Sequence, residues 1–384
     1  MKTCKKCLLH SQIPNVFIGE DDLCQYCSGY NETLADYKKK YAKKKFENLL
    51  DSIKKQTYSY DCAVLFSGGK DSTALLQMAK KQYHLNPLAV SGLHPLVNKV
   101  AQNNIRNICK QYDIELLEIR IKEEDYKKII HHAMVNADSY NLDEFMGCYM
   151  CSNLFKWVAL QYVMKLGIPL LLDGTDASQT TEPYYMDGEK LRRNNAFIQK
   201  PLGVFHDVLK AALRERYYSG IYEVDEKLVT DRFPSIVAPF TFMEEEIKIS
   251  EQKEFKKIFT NCDAVPFFSY FSIKKYDCVP YIRHYSNELR TGNGNILQLR
   301  LENGKNDLLD RERYELILNE YKSIVLYIVE NFNINKSICI DEELLMKMAP
   351  TYLKVFGEEV CKVLLDSLLQ IPFYAKYFNI PLGK

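Results

Sequence analysis

The stretch from residue 62 to residue 79 places the tightest limit on how this chain can fold. An apolar run, Cys62–Phe66, leads into Ser67-Gly-Gly-Lys-Asp-Ser72, and a helix-forming run begins at Thr73. This order predicts a buried strand, a tight loop and the N-terminus of a helix. Glycines tolerate positive φ and let a ligand approach the backbone, while the amides and dipole of a helix N-terminus favour an anion. The stretch therefore predicts a phosphate site, with an ordinary glycine-rich turn as the structural alternative.

The side chains of this loop add to the same prediction. Lys70 contributes a positive charge, and Ser67 and Ser72 contribute hydroxyl donors. The P-loop of Walker type requires Gly-x-x-x-x-Gly-Lys-Ser/Thr, which residues 67–72 do not match. The loop therefore predicts an anion site of a kind other than the Walker P-loop.

Short apolar strands alternate with helices between residue 60 and about residue 285. The predicted strands are Cys62–Phe66, Leu88–Gly92, Leu116–Ile119 and Ile168–Leu172. Such alternation predicts an α/β fold with a doubly wound parallel sheet covered on both faces. Ligands of these sheets bind at the carboxyl ends of the strands, so small polar residues there should form a nucleotide pocket. The candidates at these ends are Ser67, Gly68, Gly69, Ser91, Gly92, Asp173, Gly174, Thr175 and Asp176.

Length and composition indicate a cytoplasmic enzyme of two or three units. The chain has 384 residues, of which 47% are hydrophobic and 26% charged, and its net charge of +1 provides no global attraction for nucleic acid. No apolar run approaches the roughly 20 residues of a membrane span, and residues 1–7 lack the apolar segment of a signal peptide.

Four segments can be distinguished along the chain. We predict a metal knuckle at 1–30, a lysine-rich helix linker at 31–58 with one buried stripe, a nucleotide-binding domain at 59–290 and a C-terminal helical domain at 296–384. The linker before the last domain is placed at Thr291–Asn295, and one of its helices at Thr351–Leu369. The lysines of 38–45 fit a solvated helix face better than a nucleic-acid site.

Two Cys-x-x-Cys pairs near the N-terminus predict a structural zinc site. Sixteen residues separate Cys7 from Cys24, close to the spacing of a four-cysteine zinc knuckle. Four thiolates leave zinc no open position, so the site should fold the segment rather than perform chemistry. Iron is the rival metal, and four free thiols in an unstructured head are the structural alternative. The proposed ligands are Cys4, Cys7, Cys24 and Cys27.

A third pair, Cys148 and Cys151, lies within the nucleotide-binding segment, at the entrance of a predicted helix around 153–165. These cysteines could be two small buried hydrophobic residues. Together with a later thiol, Cys278 or Cys262, they could instead bind a [4Fe-4S] cluster with one iron open to sulfide. The remaining cysteines, Cys62, Cys109, Cys339 and Cys361, fit core positions.

In combination, the loop, the internal Cys-x-x-Cys and the segment from Leu166 to Gln179 resemble the PP-loop ATP pyrophosphatases of the adenine-nucleotide α-hydrolase superfamily. Within that group the pattern is similar to iron–sulfur sulfurtransferases of the tRNA 2-thiocytidine synthetase type. The resemblance implies adenylation of a substrate oxygen by ATP and Mg²⁺, and a cluster on Cys148, Cys151 and Cys278. Lys70 would then be catalytic. Asp71 and Asp176 are candidates to orient metal or water in catalysis, and a helix-capping role is the alternative for each. ATP would contact Phe66, Ser67, Gly68, Gly69, Lys70, Asp71, Ser72, Ser91, Gly174 and Thr175.

The N-terminal part has a different resemblance. Its double Cys-x-x-Cys, lysine-rich helix and Asn86–Ser91 are similar to N-acetyl sugar amidotransferases, which use ammonia from a glutaminase partner and would form an amidine. An ATP-bound scaffold without catalysis is a further alternative. The expected partners are a small-molecule, nucleobase or peptide-amide substrate and a sulfide donor. Transfer RNA is disfavoured by the neutral charge, no membrane partner is expected, and a homodimer is left open.

Overall fold

The computed structural model describes residues 1–180, 182–193, 203–219, 221–223, 233–243, 255–256, 260–291, 311–331 and 342–382. The predicted linker after Thr291 and the predicted core residue Cys339 lie outside these ranges. Among the described residues, no helix combines the length and apolar character needed to cross a bilayer.

The described chain forms two compact units, each built from separate stretches. The first combines Met1–Glu32, Ala133–Cys148 and Cys262–Lys384, and the second combines Thr33–His132 and Tyr149–Asn261. The predicted boundaries follow the sequence in order and stay a prediction. The grouping seen here joins the N-terminal cysteines to the C-terminal helices in one unit.

A six-stranded sheet forms the centre of the second unit. Its strand order is β3-β2-β1-β4-β6-β5, and every neighbouring pair is parallel except β5 with β6. The chain builds outward from β1 through β2 to β3, then returns to place β4 on the other side of β1. The strands are β1 Cys62–Leu65, β2 Pro87–Leu93, β3 Leu116–Arg120, β4 Leu170–Leu172, β5 Tyr184–Met186 and β6 Ser235–Ala238.

The strand order confirms the predicted α/β fold with a mostly parallel sheet. The order reverses between β1 and β4, which creates a crevice at the carboxyl ends of these two strands. The four predicted strands are present, with shifts of one or two residues at their ends. Neither β5 nor β6, of three and four residues, was predicted.

Helices cover the sheet in the second unit and make up most of the first. They are α1 Gln25–Ser28, α2 Glu32–Lys54, α3 Lys70–Gln77, α4 Lys99–Tyr112, α5 Glu123–Val135, α6 Met146–Lys165, α7 Gly188–Arg193, α8 Val204–Leu213, α9 Val265–Tyr276, α10 Ile282–Thr291, α11 Arg311–Asn331, α12 Glu342–Met346, α13 Pro350–Phe356, α14 Glu358–Leu369 and α15 Ile371–Phe378.

Helix α2 packs into the same core as the sheet. Its buried residues Ala42, Phe46, Leu50 and Ile53 recur at intervals of four, four and three, as one helix face requires. They belong to the core cluster that contains β1, α3 and α4. The predicted buried stripe is confirmed, and burying this stripe binds the lysine-rich helix to the domain that carries the phosphate loop.

Two helix predictions need correction. The single helix predicted at Thr351–Leu369 is two helices, α13 and α14, because Gly357 between them has φ +76°. The helix predicted from residue 153 begins at Met146, so Cys148 lies in the first turn of α6 and Cys151 in the second.

Candidate functional site

The loop after β1 lies at the point where the strand order reverses. Gly68 has φ +74°, and a Cβ at this position would lie 2.4 Å from the backbone oxygen of Ala101 in α4. A side chain is therefore excluded both by conformation and by space. The Ser67 amide donates to Ser72 Oγ at 3.3 Å, and Thr73 Oγ1 donates to the Gly69 carbonyl at 2.7 Å. These bonds hold the loop against the first turn of α3.

The N-terminus of α3 has the properties of an anion site. Its N-cap is Gly69, which has no side chain to accept from the first amides of the helix. Lys70 and Asp71 follow, with Lys70 Nζ 3.7 Å from Asp71 Oδ1 and about a third of each side chain exposed (31% and 27%). The helix dipole and the ammonium both favour a bound phosphate here.

The ends of β2 and β4 supply the other predicted contacts. A Cβ on Gly174 would lie 3.3 Å from the Ser72 amide nitrogen, so the segment after β4 lies against the phosphate loop. Ser91 lies two residues before the end of β2 and is fully buried, and its Oγ has no hydrogen-bond partner among the described residues. Phe66 is a core residue, which leaves its backbone as the part able to meet a ligand.

The carboxylate of Asp176 is engaged in its own turn. The side chain is 1% exposed, and Oδ1 accepts from the Ser178 amide at 2.9 Å and from Ser178 Oγ at 2.6 Å. This geometry is that of an Asx cap. Between the metal-orienting and capping alternatives, the contacts favour capping.

An ion pair that sequence reasoning missed lies at the same strand end. Lys156 Nζ from α6 is 2.6 Å from Asp173 Oδ2, the residue that follows β4. Asp173 Oδ1 accepts from the amide and the hydroxyl of Thr175 at 2.9 and 2.8 Å, so Thr175 orients this carboxylate. Two features of the sequence indicate that these residues are unusual. Asp173 directly follows an apolar strand, and Lys156 is the first charged residue after the uncharged run that begins at Met146.

Both partners of this pair are charged near neutral pH. Burial raises the pKa of the Asp173 carboxyl. Lys156 and the Thr175 donors lower this pKa by more than burial raises it, so the net pKa is below its ordinary value. Burial lowers the pKa of the Lys156 ammonium, but Asp173 raises it by more. The pair therefore places a fixed cation beside the crevice between β1 and β4.

The sequence predicts an ATP site at this crevice. At such a site, Lys156→Met should reduce ATP cleavage by about 10²-fold, the usual scale for losing one group that stabilises developing charge. Lys165→Met is the matched control, since Lys165 is a lysine of the same helix whose described contact is the ring of Tyr162. Pyrophosphate release is the measurement. Equal rates in the two variants would show that Lys156 only pairs with Asp173.

The N-terminal cysteines form a ligand group in the first unit. The Sγ atoms of Cys4, Cys7, Cys24 and Cys27 all lie within 4.8 Å of one another, and all four residues are buried. Cys7 and Cys24 Sγ are 3.7 Å apart. A tetrahedral site with metal–sulfur bonds of about 2.3 Å has sulfur–sulfur edges of about 3.8 Å. The spacing and the donor set fit a zinc ion.

Neighbouring sulfurs shift the pKa values of these thiols. Hydrogen bonds from Cys27 and Cys7 lower the pKa of the Cys24 thiol, while contacts with Cys24 and Cys27, together with burial, raise the pKa of Cys7. A cation among these sulfurs would allow all four to bind it as thiolates.

We predict about one zinc per chain, measured by elemental analysis of the purified protein. Cys4→Ser should reduce zinc content at least about tenfold and lower the unfolding temperature, because a ligand is lost. Cys361→Ser is the control, as Cys361 is equally buried in the same unit but lies outside the group. Full zinc content in Cys4→Ser would contradict the prediction.

The remaining predicted ligands occupy different surroundings. Cys148 Sγ is 4.0 Å from the Tyr281 hydroxyl, and burial together with the nearby charge of Cys262 raises its pKa to about 12. Cys151 follows one turn later in α6, 3.7 Å from the Tyr126 hydroxyl. Cys278 is 1% exposed, and burial and Glu144 raise the pKa of its thiol.

Comparison with known proteins gives limited matches. No protein-family model matches the chain. The uncharacterized protein MJ1599 of Methanocaldococcus jannaschii is 31% identical over 132 residues, which cover 34% of this chain and 44% of that relative. The matched part thus spans less than half of the relative's length. The U34-tRNA thiolase NcsA from Methanococcus maripaludis, with its [4Fe-4S] cluster, aligns over 89% of this chain and 92% of its own at 14% identity and a TM-score of 0.33. Neither similarity assigns the chain to a family, so its function rests on its own residues.

Proposed function

We propose that this protein is a PP-loop enzyme that adenylates a substrate carbonyl oxygen with ATP and replaces that oxygen with sulfur. The observation that carries the proposal is the loop at 67–72, where Gly68 and the uncapped start of α3 lie at the reversal point of a parallel sheet. A triphosphate suits this position because the first amides of α3, the dipole of that helix and the Lys70 ammonium all attract the same anion.

The first half of the proposed reaction uses residues of the second unit. The pyrophosphate of ATP would bind the amides of α3 and the Lys70 ammonium, with Ser67 and Ser72 as hydroxyl donors. The substrate oxygen attacks the α-phosphorus, its bond to phosphorus forms, and the bond to pyrophosphate breaks. Lys70 and Lys156 neutralise charge on the phosphates as pyrophosphate leaves, which is the main catalytic contribution expected of the protein. A magnesium ion, with Asp71 as the proposed carboxylate ligand, would add positive charge at these oxygens.

The second half replaces the adenylated oxygen. A sulfide sulfur attacks the substrate carbon, and AMP leaves with the oxygen, which completes the exchange of C=O for C=S. This sulfur would come from a sulfide donor, and the [4Fe-4S] cluster proposed here would hold the sulfide, because three cysteine ligands leave one iron open to a non-protein ligand.

Three cysteines are proposed to hold the cluster: Cys148, Cys151 and Cys262. Each cysteine of such a cluster binds a different iron, so its sulfurs need not be as close as those around a single ion. Cys262 is half-buried and close enough to Cys148 for its charge to raise the pKa of that thiol. Cys278 is enclosed, and the groups that shift the pKa of its thiol are Glu144, Ser272, Lys322 and Arg283. These surroundings favour Cys262 over Cys278 as the third ligand.

The test is purification without oxygen, followed by iron and sulfide analysis and an ATP assay. The proposal expects brown protein with about four irons per chain, and release of AMP and pyrophosphate in equal amounts. Binding of ATP without cleavage would favour a scaffold instead. Colourless protein that cleaves ATP fully with ammonia would favour amidine formation.

A further inference from the structure

Arg290 of α10 is a buried cation whose anionic contacts are sulfurs. The residue is 4% exposed. Its Nε donates to Cys27 Sγ at 3.3 Å, and its Nη2 is 3.9 Å from Cys7 Sγ. The nearby carboxylate of Glu288 accepts from the Tyr314 hydroxyl at 2.8 Å. A buried guanidinium requires a compensating negative charge, and here the charge is available from the cysteine group.

A second contact ties α10 to the same cysteine segment. Tyr26 lies between Cys24 and Cys27 in the sequence, and its ring is 5.5 Å from the Arg290 guanidinium carbon and 5.8 Å from that of Arg283. Arg283 also donates to the Tyr26 hydroxyl at 3.1 Å and to the Pro14 carbonyl at 2.6 Å. Arg283 near the start of α10 and Arg290 near its end therefore both make cation–π contacts with one aromatic ring of the N-terminal cysteine segment.

Charge balance explains why a metal site of this kind needs such a neighbour. A divalent ion with four thiolates has a net charge of about −2, and burial of that charge is costly. A guanidinium hydrogen-bonded to two of the sulfurs reduces it to about −1. Outer-shell groups of this kind also fix the orientation of the ligands.

We propose that Arg290 is the positioning residue of the four-cysteine site, and that metal binding in turn orders α10. This inference rests on the zinc site proposed above. The metal site would then be part of the packing of the first unit, since a metal bound at Cys4 would stabilise a helix that begins at Ile282. Thermodynamic linkage is reciprocal. If the contacts of α10 increase the affinity for the metal, then binding of the metal stabilises α10 by the same free energy.

The first test measures zinc affinity of the full chain by competition with a chromogenic zinc chelator. Arg290→Met should weaken zinc binding by about 10- to 100-fold, and Arg290→Lys should fall between this variant and the wild type, because it keeps the charge without the fork. Arg311→Met is the matched control: Arg311 donates to the Cys4 carbonyl at 2.7 Å, but within the described part of the chain it has no contact with sulfur. We expect its affinity to stay within about threefold of wild type. The absorption spectrum of the cobalt-substituted variants reports whether four sulfurs still bind the ion.

The second test measures hydrogen exchange in the wild-type protein with and without zinc. Removing zinc should reduce protection of amides in α10, with little change in α4 of the other unit. Wild-type protein that binds no zinc would overturn both the metal site and this inference. Zinc-binding wild type with unchanged affinity in both Arg290 variants would overturn the inference alone, as would unchanged protection of α10.

Discussion

Replacing Lys70 with alanine should slow pyrophosphate release from ATP by about 10²-fold or more, the scale on which one transition-state charge partner acts. Lys70 is the first residue of α3, and about a third of its side chain is exposed, so the folded protein should tolerate the change. Asp71→Asn should have a similar effect if the carboxylate holds magnesium. The measurement is the rate of pyrophosphate release at saturating ATP.

Lys99→Ala provides the control for charge and position. Lys99 is also the first residue of a helix at this edge of the sheet, but the N-terminus of α4 is capped, since Asn98 Oδ1 accepts from the Val100 amide at 2.7 Å. A capped helix start offers fewer amides to an anion. Lys99→Ala should therefore keep wild-type activity. Wild-type rates in both Lys70→Ala and Asp71→Asn would remove the loop from the mechanism.

The central strands and the loop could be predicted because their signals are local. Cys62–Leu65 is an apolar run that leads through Phe66 and Ser67 into two glycines and a helix, and the burial of both faces of β1 produces that run. The four-cysteine site could also be predicted, because the spacing of its two Cys-x-x-Cys pairs identifies the four ligands. In both cases the residues that act together are close in sequence or form a familiar pattern.

The features that were missed depend on contacts between distant residues. The pairing of Lys156 with Asp173 joins a helix to a strand end, and nothing in the spacing of the two residues indicates that they meet. Arg290 is 263 residues from Cys27, yet it is a neighbour of that thiol. Charged residues in apolar surroundings are the one local hint of such pairs, because a buried charge needs a partner.

Replacing Cys148, Cys151 or Cys262 with alanine should abolish sulfur transfer and reduce bound iron, while ATP cleavage is retained in part. The physical reason is that the cluster loses a ligand, whereas the phosphate loop is a separate element of the second unit. Iron and sulfide per chain, measured without oxygen, report the cluster. Pyrophosphate release and thiolated product report the two halves of the reaction.

Cys278→Ala is the variant that separates the two candidate third ligands. Cys278 is enclosed in the first unit, where burial raises the pKa of its thiol. Its replacement should cost some stability but leave iron content and sulfur transfer unchanged, because its surroundings are those of a core residue. If Cys278→Ala loses iron and Cys262→Ala retains it, the cluster survives and Cys278 is its third ligand. If all four variants keep wild-type iron content and product formation, the cysteines of this segment are structural and the sulfur must reach the adenylated substrate without them.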